Sequence, residues 1–214
     1  MKIFQIRRVS GAKEYLIFGF KVFRRSRRNR NIVVSGERNV VSGVPGNCQV
    51  SVYGTDNQVI FDPSNWDFAG RISLGSPNSP VSHCSVTVGV DVRSNGTDIV
   101  VFDNGSEVSI GSGSRLAFGT RIYCSDTHAI LSEDGKVVNR GRFVRIGRHC
   151  WIGLDALILK NTVIPDGSIV GAAAVVTKQR GMDNLPAGCL FAGNPATVVR
   201  TGVHWDVARP NDLP

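Results

Sequence analysis

The chain has 214 residues, 42% of them hydrophobic and 20% charged, with a formal net charge of +8. A chain this long buries about 70% of its unfolded surface and needs no disulfide staples; its five cysteines (Cys48, Cys84, Cys124, Cys150 and Cys189) form no C-x-x-C and read as buried, reduced thiols. No apolar run approaches the roughly 18 residues of a membrane span and no signal-peptide core opens the chain, so the expected location is cytoplasmic.

The charge is unevenly placed. Residues 1–30 hold ten Lys or Arg against one Glu, whereas residues 31–214 hold fifteen basic residues against sixteen acidic ones. Within the first 30, an apolar, aromatic run from Tyr15 to Phe23 precedes five arginines between Arg24 and Arg30. This segment reads as a basic N-terminal cap or arm. Peripheral adhesion to an anionic inner membrane face is its second reading, and no motif supports nucleic-acid binding.

From Asn31 to about Gly105 short β-branched runs alternate with Gly, Asn and Asp turns: I-V-V, N-V-V, Q-V-S-V, Q-V-I-F, V-T-V and I-V-V-F. They predict irregular strands. The stretch Phe61–Asn78, with Asp62-Pro63 and Ser76-Pro77, reads as a loop or bulged corner. Regular six-residue spacing begins at Ile110, Leu116 and Ile122, followed four residues later by Ser114, Thr120 and Asp126. A polar excursion, S-E-D-G-K-V-V-N-R-G-R-F over 132–143, interrupts the frame. It resumes at Ile146 and runs through Ile152, Ile158, Ile164, Val170 and Val176, with Cys150, Ala156, Thr162, Ser168 and Ala174 in the small positions.

A helix cannot keep a period of six on one face, and Pro165 with the glycines at 147, 153, 167 and 171 disfavours one. The period instead describes one short strand and one corner per hexad, three hexads per triangular coil, and coils stacked in parallel. Aliphatic residues fill the prism, and the small residues sit where a larger side chain would strike the next coil.

The W-I-G and G-A-A-A-V-V-T-K segments (151–153 and 171–178) and F-A-G-N-P-A-T-V-V-R (191–200) together resemble the hexapeptide-repeat acyltransferases, in their sugar and polysaccharide O-acetyltransferase branch. The resemblance covers about residues 108–200. It implies an all-β left-handed parallel β-helix with a short N-terminal cap (1–30), a β-helix acyltransferase domain (31–200) carrying one excursion loop, and a C-terminal tail (201–214). It also implies a homotrimer with active sites between subunits, acetyl-CoA as co-substrate and no required metal.

Of four histidines, His83, His149 and His204 read as surface residues. His128 stands two residues after Asp126, at the root of the excursion, where a solenoid commonly places function. Alternate strand residues share a face, so Asp126 is placed to orient the imidazole unless the chain turns between them. A neutral imidazole suits removal of a sugar hydroxyl's proton during attack on a thioester. The D-x-H-x-I match to the sugar O-acetyltransferases makes His128 the catalytic base of a direct, ternary-complex transfer. By the same resemblance Trp151 lines the active site, and the donor contacts fall on Leu154, Ala172, Thr177, Lys178 and Arg200. Leu154 departs from the family's small polar residue, and Thr197 replaces a usual basic one. The competing readings are an N-acetyltransferase of an amino sugar or nucleotide sugar and a non-catalytic β-helix scaffold. A zinc-dependent carbonic anhydrase of the same fold is disfavoured, because His128 and His149 are 21 residues apart and no third histidine is in register.

Overall fold

The computed structural model describes residues 5–9, 12–16, 31–178 and 184–213. The described chain winds into a parallel β-helix of triangular section. Its first face stacks Val40–Ser42, Gln58–Phe61, Ser85–Val88, Glu107–Ile110, Phe143–Ile146 and Thr162–Ile164. The second stacks Arg115–Leu116, Trp151–Ile152, Ile169–Val170 and Leu190–Gly193. The third stacks Ile32–Ser35, Cys48–Thr55, Phe68–Leu74, Arg93–Val101, Thr120–Tyr123, Leu157–Leu159 and Val175–Val176. Arg93–Val101 rounds a corner. Its Ser94 pairs with Leu116 on the second face and its Ile99 with Ile122 on the third.

The hexad aliphatics, Ile110 to Ile122 and Ile146 to Val176, are at most 2% exposed, which puts one file of side chains down the prism. The small positions are equally closed, except Asp126, where the chain leaves the coil. Their size is only half of the reason for them. Ser114 Oγ donates to the carbonyl of Gly147 at 3.0 Å and accepts the N–H of Cys150 at 3.0 Å. Ser168 Oγ accepts the N–H of Cys189 at 3.1 Å. These hydroxyls satisfy buried main-chain groups at corners, where the ladder cannot.

Register shows why periodicity is strict only in the second half. Ile146 pairs with Ile164, a step of one eighteen-residue coil, whereas Val59 pairs with Val86 and Val86 with Val108. The early coils therefore differ in length, and no single frame spans them. The 61–78 stretch, expected as a loop or bulged corner, carries the strand Phe68–Leu74, with Phe68, Ile72 and Leu74 fully buried. A register shift opposite Asn95 and Thr97 breaks its alternation at Gly70, where an added Cβ would lie 2.2 Å from the Thr97 carbonyl oxygen.

At the N-terminal side Gln5–Val9 pairs antiparallel with Ala12–Leu16, which pairs antiparallel with Val40–Ser42. The arginine cluster between Arg24 and Arg30 lies outside the described residues. At the other end Ala196–Arg200 folds antiparallel onto Leu190–Gly193. The tail ends in a single 3-10 turn, Pro210–Asp212. Among the described residues no helix is long and apolar enough to cross a membrane.

Candidate active site

The excursion leaves the coil after Cys124 at the vertex between the third and first faces, and Asp103 of the preceding coil pins its neck. Ser125 Oγ donates to Asp103 Oδ1 at 3.0 Å, and the N–H of Gly141 donates to Asp103 Oδ2 at 2.6 Å. Ser106 Oγ adds a bond to the Gly141 carbonyl at 2.8 Å. Between these anchors the chain forms a small hairpin, closed by the Val138 N–H on the Ile130 carbonyl and the Ser132 N–H on the Lys136 carbonyl, both at 2.9 Å.

His128 follows a tight turn. Thr127 has φ 62°, and the N–H of His128 reaches back to the Asp126 carbonyl at 2.7 Å. The chain thus turns between Asp126 and His128, so they do not share a strand face. The Asp126 carboxylate pairs with Lys160 from the next coil and accepts from Asn139 Nδ2 at 2.8 Å. Partial burial pushes this carboxyl up, but the Lys160 and Asn139 bonds outweigh it and hold it below the usual carboxylate range. Asn139 Nδ2 also donates to the His128 carbonyl at 2.8 Å, and its Oδ1 accepts the Ile130 N–H at 2.8 Å. One amide therefore ties the histidine's own carbonyl, the Ile130 N–H after it and the Asp126 side chain before it.

The imidazole is exposed and makes no hydrogen bond to any described residue. It opens into a cleft of about 360 Å³ beside Pro80, Phe102, Asp103, Thr127 and Asn139. Cys124, near in sequence, is fully buried, and burial pushes its thiol up to about 12, the opposite of an activated nucleophile.

Trp151 lies on the second face, across the prism from that vertex, and is 44% exposed. The C-terminal tail folds back toward it. Trp205 stacks on His149 with ring centroids 4.4 Å apart and planes at 11°, and lies 6.3 Å from Trp151. Trp205 Nε1 donates to the His149 carbonyl at 2.7 Å. His149, read from sequence as a solvated residue, is the anchor of this strap.

Leu154 and Ala172 occupy equivalent positions on the corner between the second and third faces. The Asp155 N–H bonds the Phe118 carbonyl at 3.0 Å and the Ala173 N–H bonds the Leu154 carbonyl at 2.7 Å, so Phe118, Leu154 and Ala172 form an exposed ridge. Thr177 is half-buried, and Lys178 and Arg200 are exposed. Arg200 pairs across from Leu190, beyond the last second-face strand. Thus Asp126 and His128 share one vertex, and Thr177 and Lys178, which follow Val176 at the end of the third face, lie along that same edge one coil beyond Lys160, while Trp151, Leu154 and Ala172 lie on the opposite side of the same chain. Sequence reasoning missed Asn139, Lys160, Asp103 and Trp205. The only available signal was the position of Asn139 inside the excursion.

No family model matches the chain. Among curated relatives, it is 35% identical over 89 residues to a polysialic acid O-acetyltransferase of Neisseria meningitidis, covering 41% of each protein. It is 33% identical over 137 residues to nodulation protein L of Rhizobium leguminosarum bv. viciae, covering 62% of this chain and 68% of that one. The chain thus spans about two fifths of the first relative's length and about two thirds of the second's. The solved polySia-specific acetyltransferase NeuO superposes with a TM-score of 0.67 over 85% of each chain at 21% identity, a likeness of fold that identifies the architecture as a left-handed parallel β-helix. With the sequence likeness extending over two thirds of such a relative, the chain belongs to the hexapeptide-repeat acetyltransferases.

Proposed function

We propose that this protein transfers an acetyl group from acetyl-CoA to a sugar hydroxyl of a polysaccharide or related glycan, with His128 as general base in a direct ternary-complex reaction. The observation that carries this reading is the His128 imidazole: exposed, without a hydrogen bond to any described residue, and held at the mouth of a cleft by a doubly anchored backbone. The neutral ring accepts the hydroxyl proton as the sugar oxygen attacks the thioester carbonyl. The resulting imidazolium returns that proton to the sulfur as the tetrahedral adduct collapses and the C–S bond breaks. Such proton transfer contributes about 10²–10⁴-fold. The raised thiol of Cys124 supports transfer without an acyl-enzyme on that residue.

The site is shared between copies of a homotrimer. His128 and Trp151 sit on opposite sides of one prism, so a site that uses both takes them from two chains. The hairpin supports this arrangement, because Ile130, Leu131 and Val138 are each more than half exposed on it, an apolar arm suited to a neighbouring copy. Leu154 and Ala172 offer the corner ridge to the pantetheine portion of the donor, Thr177 offers a hydroxyl at the other end of the third face, and Lys178 and Arg200 offer cations to its phosphates. The basic 1–30 segment retains its proposed peripheral contact with an anionic membrane surface.

The test is His128→Ala. Turnover should fall at least about 10²-fold, with donor affinity and oligomeric state preserved. Near-normal turnover in that variant removes the general-base assignment.

A further inference from the structure

A second and larger groove, of about 530 Å³, adjoins the His128 cleft; Asn104, Arg140 and Gly141 line both. Its remaining walls include Glu107, Arg142, Phe143 and Arg145 from the first face and the return of the excursion. The Arg145 guanidinium sits 4.6 Å from the centroid of the Phe143 ring and donates to Glu107 through Nε at 2.7 Å. Arg140 and Arg142 are exposed, and among the described residues no acidic side chain pairs with either.

This concentration of cations is local. Elsewhere most arginines are matched to aspartates, as in Arg38 with Asp56, Arg71 with Asp98, Arg115 with Asp91 and Arg148 with Asp166, and the two others without an acidic partner among the described residues, Arg121 and Arg200, line neither cavity. Residues 31–214 as a whole carry one more acid than base. Two uncompensated guanidiniums in a concave wall, beside an aromatic ring, have the chemistry to hold a planar anion on a sugar. The fork of an arginine matches a carboxylate with two parallel hydrogen bonds, while the Phe143 ring, covered by Arg145, gives the groove an apolar wall.

We infer that this groove is an acceptor subsite for a carboxylate-bearing glycan: Arg140 and Arg142 bind the carboxylate of a residue neighbouring the one whose hydroxyl meets His128. The inference rests on the acetyl-transfer reading and adds to it the chemical class of the acceptor. The contiguity of the two cavities carries it, since a polymer seated at His128 extends into the groove without leaving the surface. Arg145, already engaged by Glu107 and Phe143, acts as a wall.

The experiment uses the full chain and a panel of oligosaccharides containing uronic or sialic acids, each beside its carboxyl-reduced counterpart, in binding titrations and acetyl-transfer assays. At least one carboxylated oligomer should bind roughly tenfold to hundredfold more tightly than its reduced form, as expected for hydrogen bonds to a charged group. That preference should shrink as ionic strength rises. It should collapse in Arg140→Ala/Arg142→Ala and return in part in Arg140→Lys/Arg142→Lys, with the loss appearing in the acceptor KM and the acetyl-CoA KM unmoved. Equal handling of charged and reduced oligomers, or an undiminished preference in the double alanine variant, overturns the groove assignment. His128-dependent transfer to reduced oligomers in that case would leave the parent reading standing. A preference for phosphorylated polymers over carboxylated ones also overturns it. Tight binding of carboxylated glycans with no acetyl transfer to any glycan overturns both.

Discussion

Asn139 Nδ2 lies 2.8 Å from the carbonyl oxygen of His128, and the same nitrogen lies 2.8 Å from Asp126 Oδ2. The amide thus ties the return limb of the excursion to both residues flanking its turn. Asn139→Ala should leave the coil folded and the donor KM unchanged while lowering kcat by about tenfold or more, because displacing a base by about 1 Å is enough for losses of that order. Steady-state kinetics with the donor varied separately decides the point. An unchanged kcat means that the histidine keeps its place without the amide.

The donor side gives an independent prediction. Lys178→Ala/Arg200→Ala should raise the acetyl-CoA KM and leave the acceptor KM nearly unchanged, since contacts to remote phosphates hold ground state and transition state alike. The increase should be largest at low salt, where exposed charges are least screened. A double variant with an unaltered donor KM at low ionic strength would place the coenzyme elsewhere.

Thiol chemistry offers a third measurement. All five cysteines are buried, and burial pushes Cys48 and Cys124 up to about 12 and Cys150 up to about 11. Near pH 8 thiols of that kind are ionised to about 10⁻³ to 10⁻⁴ and are shielded as well. Native protein should take up no alkylating reagent over the time in which denatured protein takes up five equivalents. Rapid modification of Cys124 with loss of activity would reopen the question of an acyl-enzyme.

Acid should destabilise the fold in a defined window. Hydrogen bonds from Arg38 hold the Asp56 carboxyl below 3.8, those from Arg115 hold Asp91 there, and the main chain and guanidinium of Arg148 do the same for Asp166. Each carboxyl takes up a proton more readily in the unfolded chain than in the native one. Its stabilisation is therefore present above the unfolded value and is lost as pH falls through the lower native one. Denaturant midpoints should hold from about pH 7 to about pH 5 and fall below about pH 4. Asp91→Asn/Asp166→Asn should flatten that fall, and an equally steep fall in the variant would assign it to other groups.

The uneven legibility of the chain has a physical origin. From Ile146 to Val176 every hexad meets the same surroundings, so strand, corner and small position recur at fixed spacing and declare the coil. The strand Phe68–Leu74 was hidden because its coil is longer, its alternation is bulged at Gly70, and Pro63 and Pro77 flank it. His128 stood out by interrupting the repeat, but the groups that hold it did not. Asn139 finds its partners 13 and 11 residues back across a hairpin, and Trp205 meets His149 from 56 residues away. Pairings of that kind follow from the closed shape of the loop and the course of the tail, neither of which leaves a period in the sequence.

The Asp103 neck has a wider consequence. Val108 pairs with Val144 and Ile122 with Ile158, so the coil resumes in register as though the eighteen extra residues were absent. Gly141 lets the limbs close: a Cβ there would stand 2.2 Å from the Cys124 carbonyl oxygen. Residues inside that clasp can be exchanged, lengthened or recharged without shifting any strand beneath them. The loop that presents the base and one wall of the acceptor groove is therefore a detachable cassette on an invariant spool, and a change of acceptor can arise there while the donor ridge on the far side of the prism stays as it is.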